Sequence, residues 1–238
     1  MLACLPISPR RRTLNKIVFS SILVIMQAPS LKIIYKTPET PYEAVTELQE
    51  TIVAKVVALE ECDTLIFCEH APIYTCGTST QLKKDYIGGN NVPVIKTGRG
   101  GRITYHGPGQ RVIYPVIDLR NRNKDLRQYI CDLQQWLILS LADIGVEAYC
   151  TDDVGVWVKT PSGEKKIAAI GVRVRKWVAF HGIALNVSPD MNHFTGIVPC
   201  GIKSKGVTSL KELGINITMQ EMDEILLRHF KLKFHQHN

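Results

Sequence analysis

The sequence predicts an α/β protein whose mixed β-sheet is flanked by helices, and three observations carry that prediction. Helical periodicity of apolar residues runs from Pro41 to Val57 and again from Leu126 to Ile144. After residue 146, short strand patterns follow one another with connections of turn length. The two kinds of pattern alternate irregularly, which argues for a mixed sheet and against a doubly wound parallel one. No linker-like stretch or internal repeat divides residues 31–238, so a single domain is expected there.

Leu31–Tyr35 reads as the first strand. Pro41 opens a helix with Pro at a permitted early position, its apolar face made by Val45, Leu48, Ile52, Val53 and Val56. Thr64–Cys68 has the character of a buried strand, and 72–91, rich in Gly, Thr, Ser and Asn, that of a loop able to lid a site. Val92–Lys96 and Arg111–Ile117 read as strands on either side of a glycine-rich segment. Leu126–Ile144 is a long amphipathic helix closed by Gly145. Strands follow at Val146–Cys150, Val154–Lys159, Lys166–Val174, Trp177–Phe180 and Gly182–Val187, with turns at Pro161-Ser162-Gly163 and Arg175-Lys176. Ser188–Lys205 is irregular, and helices at 208–213 and 219–230 are expected to end the chain.

The composition is that of a soluble globular protein: 238 residues, 45% hydrophobic, 21% charged, mean hydropathy +0.00. The formal charge of +7 hints at nucleic acid until it is located. Residues 1–38 hold six basic groups and no acid; of the 29 basic residues, 23 then face 22 acids over residues 39–238. The charge belongs to the leading segment, so neither a nucleic-acid nor a membrane partner is expected. Residues 1–30 are read as outside the domain. Three readings fit them: an organellar transit segment, a signal-like segment without a cleavage site, or an extension ahead of Met26, which we favour. A cytoplasmic protein is expected, mitochondrial or plastid on the transit reading. Seven cysteines, with no C-x-x-C pair and no zinc spacing, point to a reducing compartment and no metal; Cys62, Cys68 and Cys131 read as small buried hydrophobes.

The segment Arg99-Gly100-Gly101-Arg102-Ile103-Thr104-Tyr105-His106-Gly107-Pro108-Gly109-Gln110 is the most informative in the chain. Glycine lets a ligand approach the backbone and permits positive φ, and here it is interleaved with side chains that make directional contacts. That combination suits the floor of a pocket; a tight hairpin is the plainer reading. The spacing is neither a dinucleotide fingerprint nor a phosphate loop. Cys200, between Pro199 and Gly201 in a glycine-rich loop, is the cysteine least like core filler.

The segment resembles the R-G-G-x-x-T-Y-H-G-P-G-Q signature of lipoyl(octanoyl) transferases. Gly163–Gly171, Phe180–Val187 and Pro199-Cys200-Gly201 resemble further motifs of that family in the same order. The resemblance implies the catalytic-domain fold shared with biotin and lipoate protein ligases. It implies octanoyl transfer from octanoyl-acyl carrier protein to a lysine of lipoyl domains, those of 2-oxoacid dehydrogenase complexes and of the glycine cleavage H protein. It implies no cofactor and no ATP. Cys200 would carry the acyl group as a thioester and Lys166, second lysine of the Lys165-Lys166-Ile167 segment, would serve it as base. Substrate contacts are implied for Arg99, Gly100, Gly101, Arg102, Ile103, Thr104, Tyr105 and His106, for Ala169, Ile170 and Gly171, and for Gly182, Ile183 and Ala184.

A thiolate is needed for acyl transfer, and a free thiol with a pKa of about 8.5 is mostly protonated at neutral pH, so a basic partner is required. His70, His106 and His181 are alternatives to Lys166 as that partner. The small residues Ala168, Ala169, Gly171, Gly182 and Ala184 suit a narrow slot for a straight chain, and enlarging Gly182 or Ala184 is expected to favour shorter donors. Arg99, Arg102, Arg173, Arg175 and Lys176 are candidate docking charges for acidic partners. The rival readings are a cysteine hydrolase using His106 or His181, an ATP-dependent ligase on the same fold, and a non-catalytic acyl-binding module.

Overall fold

The computed structural model describes residues 31–89, 91–198 and 205–235. Residues 1–30 and the segment 199–204, which includes Cys200, lie outside the described residues.

The chain forms β1 (Lys32–Tyr35), α1 (Tyr42–Val57), β2 (Thr64–Cys68), β3 (Ile73–Cys76), a one-turn α2 (Leu82–Asp85), β4 (Val94–Lys96), β5 (Thr104–His106) and β6 (Gln110–Asp118). Then come α3 (Leu126–Ala142), β7 (Ala148–Tyr149), β8 (Val156–Thr160), β9 (Gly163–Arg175), β10 (Val178–Asn186), β11 (Gly206–Val207) and α4 (Met219–Phe234). The large sheet runs β1-β2-β6-β10-β9-β8-β7, with β11 beside β9, and a small sheet runs β4-β3-β5. The β1–β2, β3–β4 and β9–β11 pairs are parallel and the others antiparallel, so the sheets are mixed as expected.

Strand periodicity divides the core. Leu65 and Phe67 of β2, with Ile113 and Ile117 of β6, face α3 and α4, where Trp136, Leu137, Leu226 and Phe230 are buried. Ile66, Cys68, Val112, Tyr114 and Val116 face the other way, toward Val45, Ile52, Val53 and Val56 of α1. A third cluster, with Tyr74, Ile103, Tyr105 and Phe194, lies under the small sheet.

Local chemistry explains the boundaries. Asp125 accepts from the backbone N–H groups of Arg127 and Gln128 at the start of α3, and Thr218 with Glu221 forms a capping box on α4. The β9–β10 hairpin turns through Lys176 and Trp177, both at positive φ, as a two-residue turn of the twist-matched kind requires.

Four expectations change. Residues 72–91 are not all loop: Ile73–Cys76 is wholly buried and pairs with both β4 and β5, partners remote in sequence. The stretches Trp177–Phe180 and Gly182–Val187 are one strand, β10. Residues 208–213 make a turn rather than a helix; Gly214 at φ 78° ends it before a second turn forms. Cys131 is exposed rather than buried, because it falls on the outer face of α3.

Candidate functional site

A cavity of about 190 Å³ lies between the β9–β10 pair, the glycine-rich segment and the start of α1. Strands β6 and β10 pair at Ala179–Ile117 and resume at Ile183–Ile113, so Pro115 stands opposite His181. Proline has no N–H to offer a ladder, and Pro115 pairs with Leu65 on the other side. His181 takes a left-handed conformation, φ 58°, and its N–H donates to Gln49 Oε1 of α1 at 3.0 Å.

The glycine-rich segment closes one side. Its backbone is held by hydrogen bonds from Thr78 N to Arg99 O (2.9 Å), Ser79 N to Gly101 O (3.0 Å) and Gly100 N to Val172 O (3.1 Å). Arg99 is 8% exposed and donates to the Thr75 hydroxyl and carbonyl, so it is spent on structure as well as lining. Alternation along β5 sends Thr104 and His106 to the cavity, while Tyr105 packs among Tyr74, His193 and Phe194. Tyr105 and Gly100 are the two residues of the Arg99–His106 segment that do not line the cavity; Gly101, Arg102 and Ile103 do.

From β9 come Lys166, Ala169, Ile170 and Gly171, and from β10 Gly182, Ile183 and Ala184. Ala168 belongs to the core instead. Gly182 needs its missing side chain for a reason other than a slot. A Cβ there would overlap the Ile113 carbonyl and stand 2.8 Å from Pro115 Cδ, so enlarging it displaces β6 before it narrows the cavity. Ala184 lines the cavity and also belongs to the core on the α1 side of the sheet.

Lys166 sits at one end, 4% exposed. Its Nζ donates to Val154 O at 2.8 Å and lies 4.7 Å from the centre of the Trp157 ring. The indole N–H donates to Asp153 O (2.9 Å), and Lys205 Nζ, ion-paired with Asp153 at 3.0 Å, lies 4.7 Å from the same ring. Room for the lysine stem depends on Gly155, at φ 135°, where a Cβ would lie 2.9 Å from Lys166 Cε. Gln134 of α3 donates to Gly155 O at 2.9 Å and pins that turn.

The histidines surrounding the cavity are neutral. Gln110 Nε2 donates to Tyr105 O (3.1 Å) and Asn186 Oδ1 (2.9 Å), so Gln110 Oε1 accepts from His106 Nδ1 at 2.7 Å and fixes that tautomer. Burial, then the neighbouring His70 and Arg99, lowers the His106 pKa to about 3. His70 donates from Nδ1 to Thr40 O and accepts at Nε2 from the Tyr114 hydroxyl, each at 2.8 Å; burial lowers its pKa as well. His181 is lowered to about 4, by burial first and then by Arg99 and Arg173. An imidazole stripped of proton affinity in this way is a poor acceptor for a thiol proton.

The cysteines tell a matching story. Burial pushes Cys68 up to about 12 and raises Cys76 and Cys150, the wrong direction for a nucleophile. Cys200 lies outside the described residues. Of the candidate docking charges, Arg102 is paired with Asp85 (3.0 Å) and Arg175 with Glu50. Arg173 stands over the Phe180 ring at 5.6 Å, and Lys176 is exposed in the β9–β10 turn. Tyr42, Val112, Tyr114, Asp153, Val154 and His181 also line the cavity. His181 was legible as a candidate; nothing local in the sequence marks the rest. Among the described residues, no group of three or more His, Cys, Asp or Glu side chains is placed to hold a metal, and no helix is long and apolar enough to cross a membrane.

The fold is one shared with lipoate and biotin protein ligases. It overlays on a bi-partite lipoate protein ligase from Thermoplasma acidophilum with a TM-score of 0.64 at 17% identity, covering 86% of this chain and 83% of that one. A biotin protein ligase from Aquifex aeolicus gives a TM-score of 0.54 at 16% identity, covering 86% and 72%. The sequence model of the lipoyl protein ligase A/B catalytic domain matches residues 41–231, and an octanoyltransferase from Rickettsia felis is 48% identical over 197 residues, 81% of this chain and 94% of that protein. The chain belongs to the lipoyl protein ligase A/B catalytic-domain family, with octanoyltransferases among its relatives.

Proposed function

We propose that the protein is an octanoyltransferase that moves the acyl group from octanoyl-acyl carrier protein to a lysine amine of lipoyl domains, through a thioester on Cys200. It is an acyltransferase of the lipoylation machinery. The observation that carries the finer reading is Lys166, buried at one end of a cavity walled by the small and apolar residues of β9 and β10. Two facts support Cys200 as its partner. Three other cysteines have their pKa values raised. Lys205, five residues beyond Cys200, rests on the same indole ring as Lys166, and β11 pairs Val207 with Lys166.

In this mechanism Lys166 takes the Cys200 proton and the thiolate attacks the donor's thioester carbonyl. The bond to the carrier sulfur breaks, and that sulfur leaves with the proton from Lys166. The acceptor amine then attacks the octanoyl-Cys200 carbonyl, the amide forms, and the proton shed by the amine returns to Cys200 by way of Lys166. One thioester replaces another and the amide lies downhill, so no nucleotide is consumed. Chain recognition follows from burial of methylenes along the slot, about 0.8 kcal/mol for each one fully buried.

The test is to mix the protein with octanoyl-acyl carrier protein, without acceptor or ATP, and to read intact mass with peptide mapping. An octanoyl adduct on Cys200 that discharges onto an added lipoyl domain is the expected result. No adduct, with transfer appearing only on addition of free octanoate and ATP, would make it a ligase and refute the thioester route.

A further inference from the structure

We infer that Tyr42 and His181 form the end wall of the acyl slot and set the longest chain it accepts. The inference rests on the octanoyl-transfer reading and extends it to chain length. Two cavities lie back to back at this point. Beyond the slot is an outer groove of about 400 Å³ whose lining includes Glu43, Glu47, Glu50, Lys96 and Arg173. Among the described residues, Tyr42 and His181 alone line both. Both are buried. The Tyr42 ring stacks on His106 inside the slot at 6.2 Å, while its hydroxyl neighbours Thr97 and Thr46, which line the groove.

The register puts this partition away from Lys166: His181 lies opposite Val172, six residues along β9 from the lysine. His181 Nδ1 is buried with no hydrogen-bond partner, so the slot ends on a polar atom that an apolar chain terminus does not satisfy. A longer chain has to displace both side chains, and it then emerges among carboxylates and basic groups where its methylenes gain no burial. Gln49 holds the wall through the His181 N–H and is a positioning residue.

The readout is the ratio of dodecanoyl to octanoyl transfer from carrier-linked donors to a lipoyl domain, measured within each protein so that loss of folded enzyme cancels. Wild type is expected to reject dodecanoyl. His181→Gly suits the left-handed backbone and is expected to raise the ratio roughly tenfold or more, as the added methylenes find room. Tyr42→Ala acts in the same direction. Gln49→Leu raises the ratio less, and Gln49→Glu, which keeps the acceptor oxygen, holds it near wild type. An unchanged ratio in His181→Gly and Tyr42→Ala overturns the wall, as does wild-type protein that transfers both chains equally well. Wild-type protein that transfers no acyl group from any donor overturns the octanoyl-transfer reading instead.

Discussion

Replacing Gly155 by alanine places a methyl where the Lys166 stem now runs. The added Cβ would lie 2.9 Å from Lys166 Cε, 3.1 Å from Cδ and 2.8 Å from Ala168 O, against about 3.5–4.0 Å for a relaxed carbon contact. The lysine therefore moves by roughly 0.5–1 Å, and misplacement of about 1 Å in a catalytic group is worth on the order of 10²-fold in rate. The backbone carries its own cost: φ is 135°, a region alanine enters at roughly 1–3 kcal/mol. For a chain of this size each kcal/mol lowers Tm by about 2–4 °C. Stopped reactions followed by intact mass give the rate of octanoyl-enzyme formation, and calorimetry gives Tm. A lower Tm with acylation at the wild-type rate would refute the reasoning, because the position of Lys166 would then not govern the chemistry.

Removing the base altogether should be more severe: Lys166→Ala is expected to lower acylation by about 10²–10⁴-fold, and near-normal transfer would end its assigned role. Ala184→Leu fills the slot from β10 opposite Ala169 and should favour hexanoyl over octanoyl donors, which a competition assay read by mass detects; equal losses for both would remove Ala184 from the slot. Acid should destabilise the protein from about pH 6.5 downward. His70, His106 and His181 have folded pKa values below the unfolded value of about 6.5, so the unfolded chain binds more protons there and stability falls with pH, by up to about 1.4 kcal/mol per unit for each histidine. Asp63 and Asp223, with raised values, oppose this by gaining protons in the folded state, and the three histidines outnumber them. A Tm constant between pH 7 and 5 would contradict the neutral assignment.

The parts of this site that were legible in the sequence are those whose chemistry is local. The Arg99–Gln110 segment announces a pocket wall because glycine and directional side chains alternate within one loop, and the structure brings most of it to one cavity. Tyr105 shows the limit, since strand periodicity in β5 turns it to the far side while its neighbours Thr104 and His106 face the slot. The clamp on Lys166 could not be read at all. It joins Gln134, Gly155, Trp157 and Lys205, which meet only because α3, β8 and the start of β11 converge on the end of β9.

Gly182 and Pro115 carry the deeper lesson. Small residues along β10 read as slot walls, yet at Gly182 the backbone of β6 fills the space where a side chain would go. Proline in a central strand ordinarily argues against that strand. Here Pro115 keeps its pairing with β2 and offers β10 no N–H, while the His181 N–H donates to Gln49 on the overlying helix. His181, opposite that proline, lines two cavities at once, and its N–H ties the sheet to α1. Pro115→Val would supply an N–H opposite His181, a ladder donor at the place where the slot now ends.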